Sequence, residues 1–339
     1  MKITKYINSF LTAFFLVFCI ACEDENKDII PNKDREIRFD CVDTKADITN
    51  ASQIDEFGVF AEHNLGSPST AEAGQWSSIL SNERVYRNDE GNFVYDPNKT
   101  IYLMNDRTFR FFAVWPYSND VTATANSGEY QVPFSTPVDA DADLLAAFHS
   151  VDFDADYASN YIVPFTFEHR LSKFRLEISQ DFVKNQYDYF WIESVELANI
   201  KKTGVLTTSH SDKEGDWYFN EERLTFKKDI PTEQQLLQPS TYLGPWGGDG
   251  VGLNLIPQAF SSGEITLKIN YKYQQNGYNE LDADIEDKTV MTSLPVGEWK
   301  PGKTYTYKIQ LYESNLIVFR NIEVAGWGAS IPGGAIIIK

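Results

Sequence analysis

Residues 265–273 read ITLKINYKY, a run in which every second residue is apolar. Its apolar positions are Ile265, Leu267, Ile269, Tyr271 and Tyr273. Side chains alternate between the two faces of a β-strand, whereas a helix would need apolar residues three and four positions apart. The run therefore predicts a strand with one buried face and one exposed face.

The same period of two recurs along the chain. Two further apolar faces consist of Phe109, Phe111, Ala113 and Trp115, and of Tyr305, Tyr307, Ile309 and Leu311. No stretch keeps apolar residues at positions i, i+3, i+4 and i+7 for three helical turns. We therefore predict an all-β fold, because strands with one apolar face pack together as pairs of sheets.

The apolar face changes parity within residues 165–178. Phe165, Phe167 and Leu171 have odd numbers, whereas Phe174, Leu176 and Ile178 have even numbers. One extra residue in a strand moves every later side chain to the opposite face. We expect such a β-bulge near Ser172-Lys173.

The first residues have the pattern of a secretion signal. Lys2 and Lys5 precede an apolar run from Phe10 to Ala21, and Cys22 follows. A membrane-spanning helix needs about 20 apolar residues, whereas the apolar part of a signal needs about 7–15. We predict that residues 1–21 are a signal peptide.

Cys22 stands where a bacterial lipoprotein carries its acylated cysteine, and the acidic residues 23–25 follow it directly. Acyl chains on Cys22 would anchor the protein in outer-membrane lipid. The acidic run resembles the tag that sends lipoproteins to the outer face of the cell. We predict a surface-exposed outer-membrane lipoprotein with residues 22–35 as a tether. The alternative is an ordinary signal peptide with an incidental cysteine.

Charge and cysteine content exclude several classes of protein. The chain has 49 acidic and 30 basic residues and a formal charge of −19, which loss of Lys2 and Lys5 makes more negative. Such a surface repels nucleic acid. With Cys19 in the signal and Cys22 acylated, Cys41 has no partner for a disulfide, and we expect it to be a small buried apolar residue.

The length of 339 residues favours two domains, because a single core usually stops growing at about 250–300 residues. The composition shifts to aspartate and alanine between residues 135 and 157, as in a crossover between domains. We place the boundary near residue 158, which gives domains 36–158 and 159–339, although a boundary nearer 180 is an alternative.

An ordered set of motifs resembles the fimbrillin (Mfa-like) family of type V pilus subunits. The motifs are FGVFA at 57–61, FRFFAVWP at 109–116, DLL at 143–145, FEHRLSK at 167–173, LIPQ at 255–258, WKPGKTYTY at 299–307, and Trp327. The resemblance implies two tandem transthyretin-like β-sandwich domains. It also implies adhesion, export as a lipoprotein, trimming by a surface trypsin-like protease, and polymerisation with other pilin subunits by strand exchange.

By this resemblance, the removable strand lies within residues 36–45, with Ile37, Phe39 and Cys41 facing inward. The family usually carries arginine at the cleavage point. Here the residues are Lys45 and Ala46, so cleavage requires a protease that accepts lysine. The alternative is that Lys45 is an ordinary solvated turn residue.

Residues 316–339 contain the candidate donor strands of the C-terminal end. Their apolar residues are Leu316, Val318, Ile322, Val324, Ile336 and Ile338. The alternative is that these strands complete the second sandwich and donate nothing, as in a tip subunit.

Catalytic patterns are weak in this sequence, so we predict a structural protein without enzymatic activity, cofactor or metal. The four histidines do not form a metal-binding or triad spacing. Asp139, Asp141 and Asp143 have the spacing that starts a calcium loop, but Leu144 and Ser150 replace its glycine and glutamate, which leaves weak calcium binding open. The rival function is a surface glycan-binding lipoprotein of a polysaccharide-uptake system, with Trp246 exposed for sugar stacking.

Overall fold

The computed structural model describes most of the chain between Glu36 and Trp327. It describes residues 36–44, 54–65, 76–102, 104, 107–124, 127–136, 142–153, 161–181, 188–230, 246, 252–274, 285–327 and 335–336. These residues form strands and one short 3₁₀ turn, Pro97–Lys99, so the predicted all-β fold is confirmed. None of the described residues belongs to a helix long and apolar enough to cross a membrane.

Seven strands form the largest sheet. In chain order they are β1 (Ile37–Thr44), β2 (Glu56–Leu65), β3 (Ser77–Arg87), β4 (Phe93–Val94), β5 (Arg107–Trp115), β8 (Leu145–Phe153) and β9 (Tyr161–His169). Their order in the sheet is β1-β9-β8-β5-β2-β3-β4, so β1 and β4 are the two edge strands. The sheet curls around a core of its own that includes Phe57, Phe111 and Phe165.

A four-stranded sheet covers the other face of β2, β5 and β8. Its strands are β6 (Thr122–Thr124), β7 (Glu129–Ser135), β12 (Thr203–Ser209) and β13 (Asp216–Phe219), in the order β13-β12-β7-β6. Phe112 and Val114 of β5 pack there with Tyr130 and Leu206. Strand β5 is therefore buried on both faces, which explains why its residues 111–115 are all apolar.

The second half of the chain builds a separate core between two sheets. One sheet has the order β15-β10-β20-β21-β22 and contains β10 (Ser172–Gln180), β15 (Leu253–Leu255), β20 (Lys303–Tyr312), β21 (Leu316–Gly326) and β22 (Ala335–Ile336). The other has the order β14-β11-β17-β18 and contains β11 (Tyr189–Lys201), β14 (Arg223–Asp229), β17 (Thr266–Gln274) and β18 (Glu286–Ser293). A short ladder joins β16 (Gln258–Phe260) to β19 (Gly297–Trp299).

The predicted inward faces of β17 and β20 are confirmed. Every apolar residue of the run 265–273 is buried in this second core, and so are Tyr305, Tyr307, Ile309 and Leu311. The expected bulge near Ser172-Lys173 is wrong. The chain leaves the first sheet after His169, bends at Leu171, and enters a different sheet at Ser172, so parity changes because the strand itself changes.

Strand pairing also differs from the boundary expected near residue 158. Strand β9 follows that point but pairs with β1 and β8 in the seven-stranded sheet. The hairpin of β12 and β13 comes later still and joins β7 in the four-stranded sheet. The chain thus moves between the two sheet systems at residues 170–171, and one hairpin of the second half returns to pack with the first.

Candidate functional site

Strand β1 is an edge strand, and its first residue, Ile37, has main-chain partners on both sides. It pairs in parallel with β9, from Ile37 opposite Tyr161 to Cys41 opposite Phe165. On its other side, the backbone N–H of Ile37 donates to the carbonyl of Ile101 at 3.0 Å. Parallel strands cannot be joined by a tight turn, so β1 and β9 are far apart along the chain. A cut directly after β1 would therefore leave β9 intact.

Tyr95 closes the same end of β1. Its hydroxyl donates to the carbonyl of Ile37 at 3.0 Å and accepts from the N–H of Ile101 at 3.2 Å. Burial raises the pKa of Tyr95 to about 12, so the hydroxyl keeps its proton at neutral pH. Tyr95 therefore binds β1 through its main chain and not through a side chain.

The inward side chains of β1 are deeply buried, as the sequence predicted. Ile37, Phe39 and Cys41 are 0%, 4% and 5% exposed. Each fully buried large apolar side chain contributes about 1.5–3 kcal/mol. Taking β1 away would uncover an apolar groove of matching length.

Phe39 occupies a pocket made of three aromatic rings. Its ring centroid lies 5.3 Å from that of Tyr95, 5.9 Å from Phe165 and 6.0 Å from Phe111. The ring is nearly parallel to Phe165 and nearly perpendicular to Phe111, both favourable arrangements. We call Tyr95, Phe111 and Phe165 the ring pocket.

An open cleft of about 760 Å³ runs beside β1 towards the opposite edge of the sheet. Residues from β1, β4 and the segment before the 3₁₀ turn line it, among them Arg38, Asp40, Phe93 and Tyr95. The cleft gives solvent access to the outer face of β1.

At the other end of the chain, β21 is paired with β20 from Leu316 to Gly326. Phe319, Ile322 and Val324 are half-buried against the second core, and Ile317 is 7% exposed. A bulge at Arg320 shifts the inward parity between Phe319 and Ile322. Strand β21 thus lies between β20 and β22 in its own sheet, with part of its apolar side in solvent.

The remaining predicted donor positions occupy different settings. Leu316 is 53% exposed and Val318 is half-buried. Ile336 lies in β22, opposite Ile322 of β21. Ile338 lies outside the described residues, as do Cys22, Lys45 and Ala46.

Several motifs that the sequence placed far apart meet between the two sheet systems. The imidazole of His169 lies parallel to the indole of Trp327, and its Nδ1 lies 2.6 Å from Oδ2 of Asp143. The Nζ of Lys173 lies over the ring of Trp327, 4.4 Å from its centroid. All four side chains are at least nine-tenths buried. We call Asp143, His169, Lys173, Gly302 and Trp327 the motif junction.

Backbone hydrogen bonds hold the motif junction together. The N–H of Gly302 donates to the carbonyl of Leu171 at 2.8 Å, and the N–H of Trp327 donates to the carbonyl of Gly302 at 2.9 Å. Gly302 has a φ of 64°, the left-handed region that favours glycine in the Pro301-Gly302 turn. Arg170 donates its N–H to the carbonyl of Leu144 at 2.8 Å, which ties the 143–145 motif to the same place.

Sequence reasoning quoted each of these motifs but missed that they converge. The available signal was the parity change after Leu171, which marks the place where the chain passes from one sheet to the other. His169 was predicted to be a hydrogen-bonded strand residue. It ends β9 as a buried residue in close contact with a carboxylate.

The expected exposure of Trp246 is wrong. Its side chain is 4% exposed and packs in the second core, with its ring 6.0 Å from that of Phe174 in an edge-on arrangement. A tryptophan in this position cannot stack on a sugar. The glycan-binding alternative therefore loses the residue on which it rested.

Comparison with known proteins identifies the family of this chain and a solved structure with a similar fold. A family model described as fimbrillin-like matches residues 44–327. No curated protein sequence matches the chain. A fimbrial protein from Bacteroides vulgatus ATCC 8482 is 16% identical with a TM-score of 0.66, covering 86% of this chain and 99% of its own.

A candidate cell adhesion protein from Bacteroides ovatus ATCC 8483 is 15% identical with a TM-score of 0.49, covering 86% of this chain and 96% of its own. At 16% identity the Bacteroides vulgatus structure shows a shared fold alone. The family model, which spans most of the chain, points to a structural, non-enzymatic protein of the cell surface. The chain belongs to the fimbrillin-like family and is a pilus subunit.

Proposed function

We propose that this pilus subunit is made as an outer-membrane lipoprotein and joins its neighbours by strand complementation. Cys22 carries the acyl anchor, a surface trypsin-like protease cuts between Lys45 and Ala46, and β1 leaves the first sheet. A strand from another pilin subunit then fills the groove. Main-chain hydrogen bonds supply affinity in such strand addition, and pockets for alternate side chains supply specificity.

One observation carries this proposal. Strand β1 is an edge strand whose three inward side chains are at most 5% exposed, although it pairs with only one long neighbour, β9. If β1 departs, the main-chain N–H and C=O groups of β9 that paired with it lose their partners, and the apolar surface under it is uncovered. The groove that remains is a natural acceptor for an extended strand.

The position of Lys45 relative to β1 supports the proposed cleavage point. Arg38 stands within the ladder opposite Ile162, where a protease cannot engage the backbone without unpairing the strand. Lys45 follows Thr44, the last residue of β1. Cutting after Lys45 would release the complete strand.

We further propose that the molecule consists of two structural units that meet at the motif junction. The first contains β1 to β9 with the returning β12–β13 hairpin, and the second contains β10, β11 and β14 to β22. The close contact between Asp143 and His169 and the stacking of Trp327 hold the chain where it passes from one unit to the other. Residues 316–339 supply the donor strand from the second unit.

The test is limited trypsin treatment of the purified full chain. We expect a loss of mass that corresponds to removal of residues up to Lys45, followed by a ladder of SDS-resistant oligomers. The matched control is Lys45→Gln, which should stay intact at this position and monomeric. A ladder that forms equally well in the Lys45→Gln chain would refute processing at Lys45.

Anchoring is tested separately in cells. The wild-type chain should partition into the detergent phase of a Triton X-114 extract, and Cys22→Ala should move to the aqueous phase. A Cys22→Ala chain that remains in the detergent phase would rule out the acyl anchor at this residue.

A further inference from the structure

A cavity lies beside the motif junction, where the two sheet systems meet. Its volume is about 340 Å³, near the lower end of the range for small-molecule sites, about 300–1,000 Å³. Lys300 and Lys303 line it and are exposed at its rim. Its other lining residues include Glu168, His169, Arg170, Glu214 and Trp327. We call it the junction cavity.

Three residues that line the junction cavity have buried nitrogen atoms without a hydrogen-bond partner among the described residues. The atoms are Nε of Arg170, Nε1 of Trp327 and Nε2 of His169, and the three residues are 3%, 6% and 5% exposed. A buried polar group without a partner destabilises the folded state, so such groups usually face an ordered water or a ligand. Because the three residues line one cavity, a single bound molecule is able to satisfy all of them.

Two of these groups determine the charge of the ligand. The Nε–H of Arg170 and the Nε1–H of Trp327 can only donate, so the ligand atoms that face them must be acceptors. Burial lowers the pKa of Arg170, although the nearby carboxylates of Glu168 and Glu214 act in the opposite direction. These carboxylates therefore offset the cost of burying the guanidinium only in part. A further negative charge would stabilise it.

The third group adds a hydroxyl to the ligand. Oδ2 of Asp143 lies 2.6 Å from Nδ1 of His169. A carboxylate only accepts, which favours a proton on Nδ1 and leaves Nε2 of a neutral imidazole as an acceptor. A hydroxyl group donates to such an acceptor, and it can equally accept from Nε2 of an imidazolium ion. A hydroxyl therefore suits Nε2 in either protonation state.

We propose that the junction cavity binds a small hydroxycarboxylic acid. The carboxylate of the acid accepts from Arg170 and Trp327, and its hydroxyl pairs with Nε2 of His169. The exposed ammonium groups of Lys300 and Lys303 attract the acid to the cavity. This site is independent of strand exchange, because none of its lining residues lies in β1.

The charges around the cavity favour a carboxylate over a phosphate ion. Phosphate carries a larger negative charge than a monocarboxylate at neutral pH. Glu168 and Glu214 lie close enough to Arg170 to act on its pKa, and they repel each additional negative charge. Ordered water is the other rival, since it also pairs with buried polar groups.

Lactate is the probe for this site, and propionate is its matched control, because the two acids differ by one hydroxyl group. Isothermal titration calorimetry of the purified full chain at constant ionic strength measures both dissociation constants. We expect lactate to bind about fivefold more tightly than propionate, as one additional hydrogen bond allows. Equal affinities would overturn the role of Nε2 of His169.

Inorganic phosphate and sodium chloride test the rivals in the same titration. We expect phosphate to bind more weakly than lactate, and chloride to give no saturable heat. Tighter binding of phosphate than of lactate would overturn the choice of a carboxylate. If lactate gives no saturable heat either, the cavity holds water alone and the inference is wrong.

A ligand in the junction cavity contacts both sheet systems, because His169 ends β9 and Trp327 follows β21. Binding to the folded chain raises its unfolding temperature. At about ten times its dissociation constant, lactate should raise the Tm by about 2–4 °C relative to the same concentration of sodium chloride. An unchanged Tm at that concentration would contradict binding at this place in the fold.

The indole N–H has a test of its own. Trp327→Phe keeps a ring beside His169 and removes the donor, so we expect lactate to bind about tenfold more weakly. Trp217→Phe is the matched control, because Nε1 of Trp217 is also buried without a partner among the described residues but lies in β13, outside the cavity. This control should keep the wild-type affinity. Equal losses in the two variants would overturn the site.

Spectroscopy locates the bound acid. In a chain with isotope-labelled tryptophan, lactate should shift the indole resonance that is missing from the spectrum of Trp327→Phe. A shift of a different indole resonance alone would place binding elsewhere and overturn the inference.

A rim substitution keeps the proposal testable where Trp327→Phe does not fold. Lys303 is exposed, and we expect Lys303→Gln to weaken lactate binding about threefold at low salt. Lys227→Gln is the control, because its side chain is 52% exposed in β14, away from the cavity. An equal loss in both variants would show a general effect of charge and refute a site at the junction cavity.

Discussion

The rings of His169 and Trp327 are stacked, with centroids 3.8 Å apart and planes inclined by 9°. His169 ends β9 in the first sheet, and Trp327 directly follows β21 in the second sheet system. The contact therefore joins the two sheet systems through one pair of side chains. Asp143 contacts His169 and Nζ of Lys173 lies over Trp327, so the two stacked rings lie between a carboxyl group and an ammonium group.

Removal of the indole should weaken this connection strongly. Trp327 is 6% exposed, and truncation of a buried tryptophan to alanine typically costs about 3–5 kcal/mol. We expect Trp327→Ala to lower the free energy of unfolding by that amount in urea titrations. Tyr218→Ala, at a 62% exposed position, should change it by less than about 0.5 kcal/mol. Equal effects of the two substitutions would contradict the structural role of Trp327.

Phe39 should dominate the stability of the untrimmed first sheet. Phe39→Ala removes the ring from the ring pocket and leaves a cavity, so we expect a loss of about 3–5 kcal/mol in the free energy of unfolding. Arg38→Ala is the control, because the Arg38 side chain is 57% exposed and should contribute little. A comparable loss in the Arg38→Ala chain would show that β1 is not held by its inward face.

A buried ion pair lies between β2 and β5. Nε of Arg110 donates to Oε2 of Glu62 at 2.5 Å, and the guanidinium stacks 4.0 Å from the ring centroid of Trp76. The side chain of Arg110 is 10% exposed and that of Glu62 is 6% exposed. We expect Arg110→Met alone to cost about 3–5 kcal/mol, because Glu62 would be left buried without its cation.

The double substitution Arg110→Met with Glu62→Leu is the matched control for this pair. It removes both charges, so we expect it to recover most of the lost free energy of unfolding in the same urea titration. A double variant as unstable as Arg110→Met would show that packing of the Arg110 side chain, and not its charge, accounts for the loss.

Acid should destabilise the protein through His210. Burial, with the nearby charges of Arg110, Lys213 and His149, lowers the pKa of His210 to about 3. The unfolded chain binds a proton at His210 near pH 6.5. Between those two values the unfolded state holds more protons, so the free energy of unfolding falls as pH falls from about 6.5.

His210→Gln removes this titration, so its stability should fall less steeply between pH 6.5 and 4. Thermal unfolding at a series of pH values measures both slopes. Burial also lowers the pKa of His63 and His149, so the variant should retain a smaller slope of the same sign. Parallel slopes for the two chains would refute the contribution of His210.

Local pattern was enough to predict the strands and much of their orientation. Alternation predicted the inward faces of β17 and β20, because each of these strands has one apolar face. The parity change within residues 165–178 marked the place where the chain passes from one sheet to another. It was misread as a bulge, because a bulge and a change of sheet shift the pattern alike. For strand β5 only one buried face was predicted. Its second face is buried by β7 and β12, which lie elsewhere in the chain.

The assembly of the motifs could not be predicted, for the same physical reason. Asp143, His169, Gly302 and Trp327 meet through strand pairings between distant parts of the chain, and periodicity carries no information about such partners. The inward face of β1 was predicted correctly from three residues. The ring pocket around Phe39 was not, because Tyr95, Phe111 and Phe165 come from three separate segments.

The parallel pairing of Ile37 with Tyr161 has a consequence for folding kinetics. Strand β1 is synthesised first among the strands of its sheet, yet its neighbour β9 is synthesised last. Contacts between distant segments form slowly, because a long loop must close before they can be made. The first sheet therefore completes itself only when β9 has arrived, and β1 stays unprotected until then. If a protease cuts after Lys45 as proposed, a chain that it reaches before this closure would lose its first strand before the groove around that strand has formed.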